Sequence, residues 1–186
     1  AIGAPLNDGA GSNGGHVRVC DWDGFAWNSR GADIKGAAAN DQSGTSVSLS
    51  SIGNTVAIGA PLNDGNGADS GHVRIYEWNG SVWTQKGSDI DGAAANDQFG
   101  TSVSLSSIGN TVAVGAPLND GAGSNGGYVR ICEWNGSVWT QKGSDINGAA
   151  ANDQFGTSVS LSSIGNTVAI GAPLNDGAGS NGGHVR

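Results

Sequence analysis

Residues 99–117, FGTSVSLSSIGNTVAVGAP, form a unit that recurs along this chain. It returns as residues 155–173 and, with Ser43 in place of the leading Phe, as residues 43–61. The spacing is 56 residues each time, so the 186 residues hold three periods and a remainder of 18. Self-similarity at a fixed period of this length predicts a protein built from repeated structural units.

Apolar and polar residues alternate within this stretch, which predicts two short β-strands joined by a tight turn. In the first strand Val103 and Leu105 face one way and the serines face the other. In the return strand Val112 and Val114 share one face, and small residues occupy the opposite face. Gly109 lies in the turn, where a positive φ is needed. The small residues predict that another sheet approaches closely.

A second pair of strands follows in each repeat. Residues 72–78 and 81–86 flank Asn79-Gly80, which predicts a two-residue hairpin loop. That loop length fixes a register of three opposed pairs: Trp78 with Ser81, Tyr76 with Trp83, and Arg74 with Gln85. The same counting opposes each cysteine to a tryptophan: Cys20 to Trp27 and Cys132 to Trp139.

Each repeat is therefore predicted to contain four short antiparallel strands followed by a connection without a strand. In the second repeat this connection is residues 87–98. Its AAAN run could form a helical turn, but Gly92 and the short length favour a loop. Four-stranded units repeated radially are β-propeller blades, so we expect an all-β fold. A β-solenoid is the alternative, although its coils are usually shorter. The expected units are two partial blades, 1–42 and 155–186, and two complete blades, 43–98 and 99–154.

The number of units bears on how the chain is completed. Propellers close with about four to eight blades, so we expect an incomplete propeller or part of a longer array. Further copies of the same repeat, in the same chain or a neighbouring chain, are the expected partners. The sequence has no signal peptide and no initiator Met, so we expect it to be a piece of a longer protein.

Phe99-Gly100 followed by Gly115-Ala116-Pro117 resembles the FG-GAP repeat of integrin α chains and of many secreted microbial and algal proteins. The resemblance covers the whole chain. It implies an extracellular, secreted or cell-surface protein with a structural or adhesion role, as part of a larger cell-surface or filament-forming protein. A carbohydrate- or protein-binding propeller that uses its Asn/Asp/Gly loops is the alternative. The loops scarcely differ between repeats, which favours the structural role.

Charge and symmetry exclude several classes of function. The formal net charge of −8 argues against nucleic-acid binding, and no apolar run is long enough for a membrane span. Catalysis needs a set of groups unique to one place. Only nine positions differ between residues 43–98 and 99–154, and three histidines recur in register: His16, His72 and His184. We therefore expect no enzymatic activity.

Integrin-type repeats often hold calcium in an Asp-rich loop between the two strands of the opening stretch. Here that loop, residues 106–111, has no carboxylate, so the resemblance does not carry the site over. Weaker calcium candidates lie in the other loop: Asn63, Asp64, Asn66 and Asp69. Asn and Asp in such loops more often hydrogen-bond their own backbone. We expect no cofactor, with calcium as the alternative.

The sequence contains candidate residues for two kinds of covalent modification, glycosylation and disulfide formation. Asn79 and Asn135 begin Asn-Gly-Ser triplets, which makes them glycosylation candidates, although both are also explained as hairpin turns. Cys20 and Cys132 occupy the same position two repeats apart, too far for a disulfide between them. We expect both to be apolar strand residues; an intermolecular bridge is the alternative.

Overall fold

The computed structural model describes residues 1–177 and 179–186. We number the repeats by the four ranges given above, from the first (1–42) to the fourth (155–186). The described residues contain 18 β-strands: β1 (Ile2–Ala4), β2 (His16–Arg18), β3 (Cys20–Trp22), β4 (Trp27–Ser29), β5 (Ile34–Lys35), β6 (Ser46–Leu49), β7 (Thr55–Ala60), β8 (His72–Trp78), β9 (Trp83–Gln85), β10 (Ile90–Asp91), β11 (Ser102–Leu105), β12 (Thr111–Ala116), β13 (Tyr128–Trp134), β14 (Trp139–Gln141), β15 (Ile146–Asn147), β16 (Ser158–Leu161), β17 (Val168–Ala172) and β18 (His184–Val185).

The second and third repeats each form one antiparallel sheet. In the second repeat β6, β7 and β8 lie side by side, and both β9 and β10 pair with the outer edge of β8. The third repeat repeats this arrangement with β11 to β15. Each sheet is therefore four strands wide with its outermost strand in two pieces. The predicted all-β fold of blade-like antiparallel sheets is confirmed.

The first and fourth repeats form smaller sheets. The first has the sheet β1-β2-β5 and a separate hairpin of β3 and β4, and the fourth has the sheet β16-β17-β18. Within the described residues, no helix is both long and apolar enough to cross a membrane.

The core follows the predicted alternation. Val103 pairs with Val114 and Leu105 pairs with Val112, as the opposed apolar faces require. These side chains are buried together with Phe99, which is completely shielded from solvent. Burying this apolar surface contributes about 25 cal/mol per Å², so the two short strands are stabilised by packing rather than by their length.

The predicted hairpin register is wrong by two residues. Trp78 pairs with Trp83, and Tyr76 pairs with Gln85, so the loop has four residues rather than two. The cause is Asn79, whose side-chain oxygen accepts the backbone N–H groups of Ser81 and Val82, at 2.9 Å each. These contacts hold residues 79–82 as a loop of their own. An even shift leaves every side chain on its predicted face.

Three further pairings are corrected with the register. Cys20 pairs with Ser29 and Cys132 pairs with Gln141, so neither cysteine opposes a tryptophan. Arg74 has no partner on β9, and its guanidinium instead forms two hydrogen bonds to Asp89.

The connection over residues 87–98 contains a strand that the sequence analysis did not predict. Ile90 and Asp91 form β10, which pairs with Val73 and His72 of β8. Two residues are too few to show an alternating pattern, so periodicity could not reveal this strand. The rest of the connection is loop, as predicted.

Candidate functional site

The surface that recurs most regularly is the contact between successive repeats, which we call the joint. Its inner part lies along the first strand of each sheet. The Ser48 hydroxyl oxygen accepts the backbone N–H of Leu105 at 2.9 Å. The Ser104 hydroxyl oxygen accepts that of Leu161 at the same distance. The serines that alternate with the buried apolar residues therefore bind the next repeat.

The residues that carry the family resemblance form the middle of the joint. A β-carbon on Gly115 would lie 2.0 Å from the carbonyl oxygen of Gly156, and one on Gly59 equally close to that of Gly100. Only glycine permits this approach, as the small residues predicted. The Ser102 hydroxyl closes the contact by donating to the Gly156 carbonyl at 2.7 Å. The glycine of each Gly-Ala-Pro thus meets the glycine of the next Phe-Gly.

Tryptophans form the outer part of the joint. The indole Nε1 of Trp83 donates to the carbonyl oxygen of Arg30 at 2.8 Å, and Trp139 does the same to Lys86 at 2.7 Å. A glycine follows each acceptor and leaves room for the tryptophan ring of the next repeat. A β-carbon on Gly87 would lie 2.7 Å from the ring of Trp134.

Buried aspartates complete the joint at the loop end of the sheets. Asp97 accepts the backbone N–H of Ala94 and the side-chain amide of Asn119, both at 3.0 Å. Burial raises the pKa of Asp97, and the two hydrogen bonds oppose that shift. In the preceding joint Asp41 accepts the amide of Asn63 at 3.0 Å. One of the four calcium candidates, Asn63, is therefore a joint residue.

Asp64 and Asn66, two of the remaining calcium candidates, form hydrogen bonds with backbone groups. Asp64 accepts the backbone N–H of Asp69 through Oδ1 at 2.9 Å, and Asn66 donates to the carbonyl of Gly92 at 2.9 Å. The side-chain oxygen of Asn63 accepts the N–H of Gly65. The contacts of Asn63 and Asp64 are the backbone capping that Asn and Asp favour in turns, whereas Asn66 reaches the connection that follows β9. Calcium in this loop stays a prediction.

The structure brings together a different set of possible metal ligands, which the sequence analysis did not predict. Within the described residues, possible ligand atoms of His72, Asp89 and Asp91 all lie within 4.8 Å of one another. Two of the three lie in or beside β10, which periodicity could not reveal. Burial, with the nearby Arg74 charge, lowers the pKa of His72 below its usual value. Burial opposes ionisation of Asp89, but hydrogen bonds from Arg74 and Gln85 hold its pKa below the usual range.

The two glycosylation candidates lie at exposed hairpin tips. The Asn79 side-chain oxygen supports its own loop as described above, and Asn135 accepts the N–H groups of Ser137 and Val138 at 2.9 and 3.0 Å. Both triplets therefore serve as turns, and glycosylation of either asparagine stays a prediction.

Both cysteines are free thiols in the described structure. Cys20 is half-buried, whereas Cys132 is buried in the core of its sheet. Burial raises the pKa of the Cys132 thiol to about 11. These positions agree with the expectation that both are apolar strand residues.

A solved structure with a similar fold is the crystal structure of a Bacteroides uniformis protein named for a proposed 6-phosphogluconolactonase activity. The TM-score is 0.56 at 12% identity, over 84% of this chain and 40% of that one. At this identity the likeness shows the fold alone. The chain spans less than half the length of that protein. Among curated proteins, none matches this chain.

The family model for the FG-GAP repeat matches at three places: residues 35–76, 86–130 and 146–185. Together they cover more than half of the chain. The first and second matches contain Gly59 and Gly115, the joint glycines, and the second and third contain the Phe-Gly pairs of the third and fourth repeats. The chain belongs to the FG-GAP repeat family.

Proposed function

We propose that this chain is an extracellular structural or adhesion module of a larger cell-surface or filament-forming protein. FG-GAP repeats occur in extracellular adhesion-type proteins and in β-propeller proteins. The observation that carries the proposal is the joint. Successive joints use the same residues, so repeats can be added in series with no new contacts. Nearly identical repeats in series present almost the same surface many times, which suits multivalent attachment.

The partners we propose are further copies of the same repeat, in the same polypeptide or in a neighbouring chain. Two surfaces support this choice. Trp27 is 70% exposed, although its counterparts Trp83 and Trp139 are half-buried in joints. A β-carbon on Gly143 would meet no atom within 4 Å, whereas its counterpart Gly87 lies against Trp134. The surface around Trp27, which corresponds to the indole donor of a joint, is therefore exposed. So is the surface around Gly143, which corresponds to the part that receives the tryptophan ring.

The test extends the array by 18 residues, about a third of a repeat. Residues 131–148 contain the tryptophan hairpin, and a second copy of this segment is appended after Arg186. We expect the second added tryptophan to donate to the Lys142 carbonyl, as Trp139 donates to Lys86. Its indole N–H should therefore exchange with deuterium slowly, as measured by NMR.

The matched control is Gly143→Asn in the extended chain. Asn tolerates the positive φ of +76° at this position, but its β-carbon occupies the space that the ring needs. The added indole should then exchange quickly, while Trp83 and Trp139 stay protected. If the added indole N–H exchanges at the same rate in the extended chain and in its Gly143→Asn variant, the proposal is contradicted.

We also propose that the chain has no catalytic role. His16 and His72 occupy equivalent strand positions, and the third repeat has Tyr128 there, so the histidine follows the repeat pattern. The Bacteroides uniformis protein of similar fold is named for hydrolysis of 6-phosphogluconolactone. In the presence of this chain, that hydrolysis should be no faster than the spontaneous reaction. Catalysed hydrolysis that disappears on unfolding the chain would contradict this.

The second candidate function is recognition of a carbohydrate or protein by the Asn/Asp/Gly loops. One observation favours it. Five of the nine positions at which the second and third repeats differ lie in or directly after a single loop, residues 63–71, and a sixth, Asp91, pairs with His72 at the end of that loop. Retention of the chain on an array of glycans, lost when this loop is given the third-repeat sequence, would support recognition over a purely structural role.

A further inference from the structure

The differences between two nearly identical repeats gather at one place in the fold. Six residues of the second repeat that differ from the third are Asn66, Ala68, Asp69, Ser70, His72 and Asp91. The last two are direct partners between β8 and β10. A β-carbon on Gly65 would lie 3.4 Å from Asp91 Oδ1, so the loop touches the same strand pair. The changes therefore form one contiguous patch.

These changes introduce metal-binding groups. The third repeat has Tyr128 where the second has His72, and Asn147 where the second has Asp91. Asp89 is common to both repeats, as Asp145 in the third. In the second repeat alone, an imidazole and two carboxylates bring ligand atoms within 4.8 Å of one another, among the described residues.

The His72 side chain is a buried polar group directed into this set. The residue is 2% exposed, and one of its ring nitrogens lies within 4.8 Å of an oxygen of each of the two carboxylates. His72 Nδ1 lies 3.6 Å from Asp89 Oδ2. Two atoms bound tetrahedrally to one zinc ion at about 2.1 Å lie about 3.4 Å apart, which is close to this separation.

Arg74 orients the carboxylate of Asp89. Its Nε and terminal nitrogen donate to the two carboxylate oxygens at 2.9 and 2.8 Å, and Gln85 adds a contact of 2.6 Å. Such partners fix the direction of a metal-ligating group. The guanidinium also repels a cation, and Asp91 is needed to offset its charge.

The local charge distinguishes the second repeat from its neighbours. Asp89, Asp91 and Arg74 together carry a net charge of −1 beside His72. In the third repeat Asn147 leaves the equivalent group neutral, and in the first repeat Lys35 makes it positive. Cation binding is therefore favoured electrostatically in the second repeat alone.

We propose that His72, Asp89 and Asp91 bind a divalent cation of the class that accepts mixed nitrogen and oxygen ligands, represented by Zn²⁺. Calcium and magnesium take oxygen ligands, so a buried imidazole selects against them. Asp91 is exposed and gives the ion a way in. Three protein ligands leave a fourth position for water or for an exogenous donor.

The test titrates Zn²⁺ into the full chain at neutral pH by calorimetry, with Co²⁺ absorption to report coordination. We expect one equivalent to bind. The double variant His72→Tyr and Asp91→Asn carries the residues that the third repeat already has, so its fold should be kept. It should bind at least about tenfold more weakly, since two of three ligands are lost.

Two further variants complete the test. His16→Tyr should leave binding unchanged, because Lys35 already excludes a cation there. Tyr128→His with Asn147→Asp should create a second equivalent in the third repeat. No binding by the unmodified chain, or binding that survives in the His72→Tyr, Asp91→Asn variant, would overturn the proposal. Tighter binding of Ca²⁺ than of Zn²⁺ would contradict the proposal that the site selects an ion with mixed nitrogen and oxygen ligands.

Discussion

The indole Nε1 of Trp139 donates a hydrogen bond to the carbonyl oxygen of Lys86, 2.7 Å away, and so ties the third repeat to the second. Trp83 makes the equivalent bond to Arg30 one repeat earlier. Because both tryptophans sit at hairpins that the repeat period places 56 residues apart, one sequence motif builds both joints.

Trp139→Phe should lower the free energy of unfolding by about 1–3 kcal/mol, because the substitution removes the indole donor, leaves the partly buried carbonyl of Lys86 without its partner and reduces packing. Trp27→Phe is the matched control, since Trp27 is 70% exposed. Urea denaturation measures both. An equal effect of the two substitutions would show that the bond to Lys86 does not stabilise the joint.

Gly115→Ala should destabilise the chain by about 3 kcal/mol or more, because its β-carbon would collide with backbone that cannot move without separating two repeats. Gly80→Ala is the comparison. Gly80 has a φ of +100° but no neighbour within 4 Å, so only backbone strain of about 1 kcal/mol applies. Thermal melts of the two variants should therefore differ clearly; similar melting temperatures would contradict the close approach.

The sequence was sufficient for the parts of the fold that depend on alternation and on small residues. The pairing of Val103 with Val114 and the close approach at Gly115 both follow from one stretch. The hairpin register did not follow, because it depends on the Asn79 side chain capping two N–H groups. Loop composition alone does not distinguish that arrangement from a two-residue turn.

The candidate metal site could not be predicted from the sequence, for a different reason. His72 and Asp91 become neighbours only through the pairing of β8 with β10. A two-residue strand carries no periodicity, so nothing in the pattern indicates where it pairs. The differences between repeats were visible in the sequence, but their proximity required the structure.

Tyr128→Phe should leave the chain as stable as before or stabilise it by about 1 kcal/mol at neutral pH. The Tyr128 hydroxyl is buried and has no hydrogen-bond partner among the described residues, so removing it relieves a desolvation cost. A loss of several kcal/mol in urea denaturation would contradict this.

The same variant should change stability in alkali. Burial raises the pKa of Tyr128 to about 12 from its ordinary value of 10.0. Between these values the unfolded chain loses the phenol proton and the folded chain keeps it, so stability falls as pH rises. That part of the fall should be absent in Tyr128→Phe. Identical pH profiles of the two proteins above pH 10 would contradict the burial of this hydroxyl.

Cys132 should resist alkylation by iodoacetamide at pH 8 in the folded chain, because its pKa of about 11 leaves few thiolates. Cys20, which is half-buried, should be modified first. Peptide mapping by mass spectrometry separates the two sites, and both should react in denaturant. Faster modification of Cys132 than of Cys20 would place it outside the core.

Hydrogen exchange of the tryptophan indoles tests the joint most directly. NMR can follow each indole N–H separately in the unmodified chain. Trp83 and Trp139 should exchange slowly, because each donates to a carbonyl of the preceding repeat, and the exposed Trp27 should exchange quickly. If Trp83 and Trp139 exchange as fast as Trp27, the repeats are not joined in the way described.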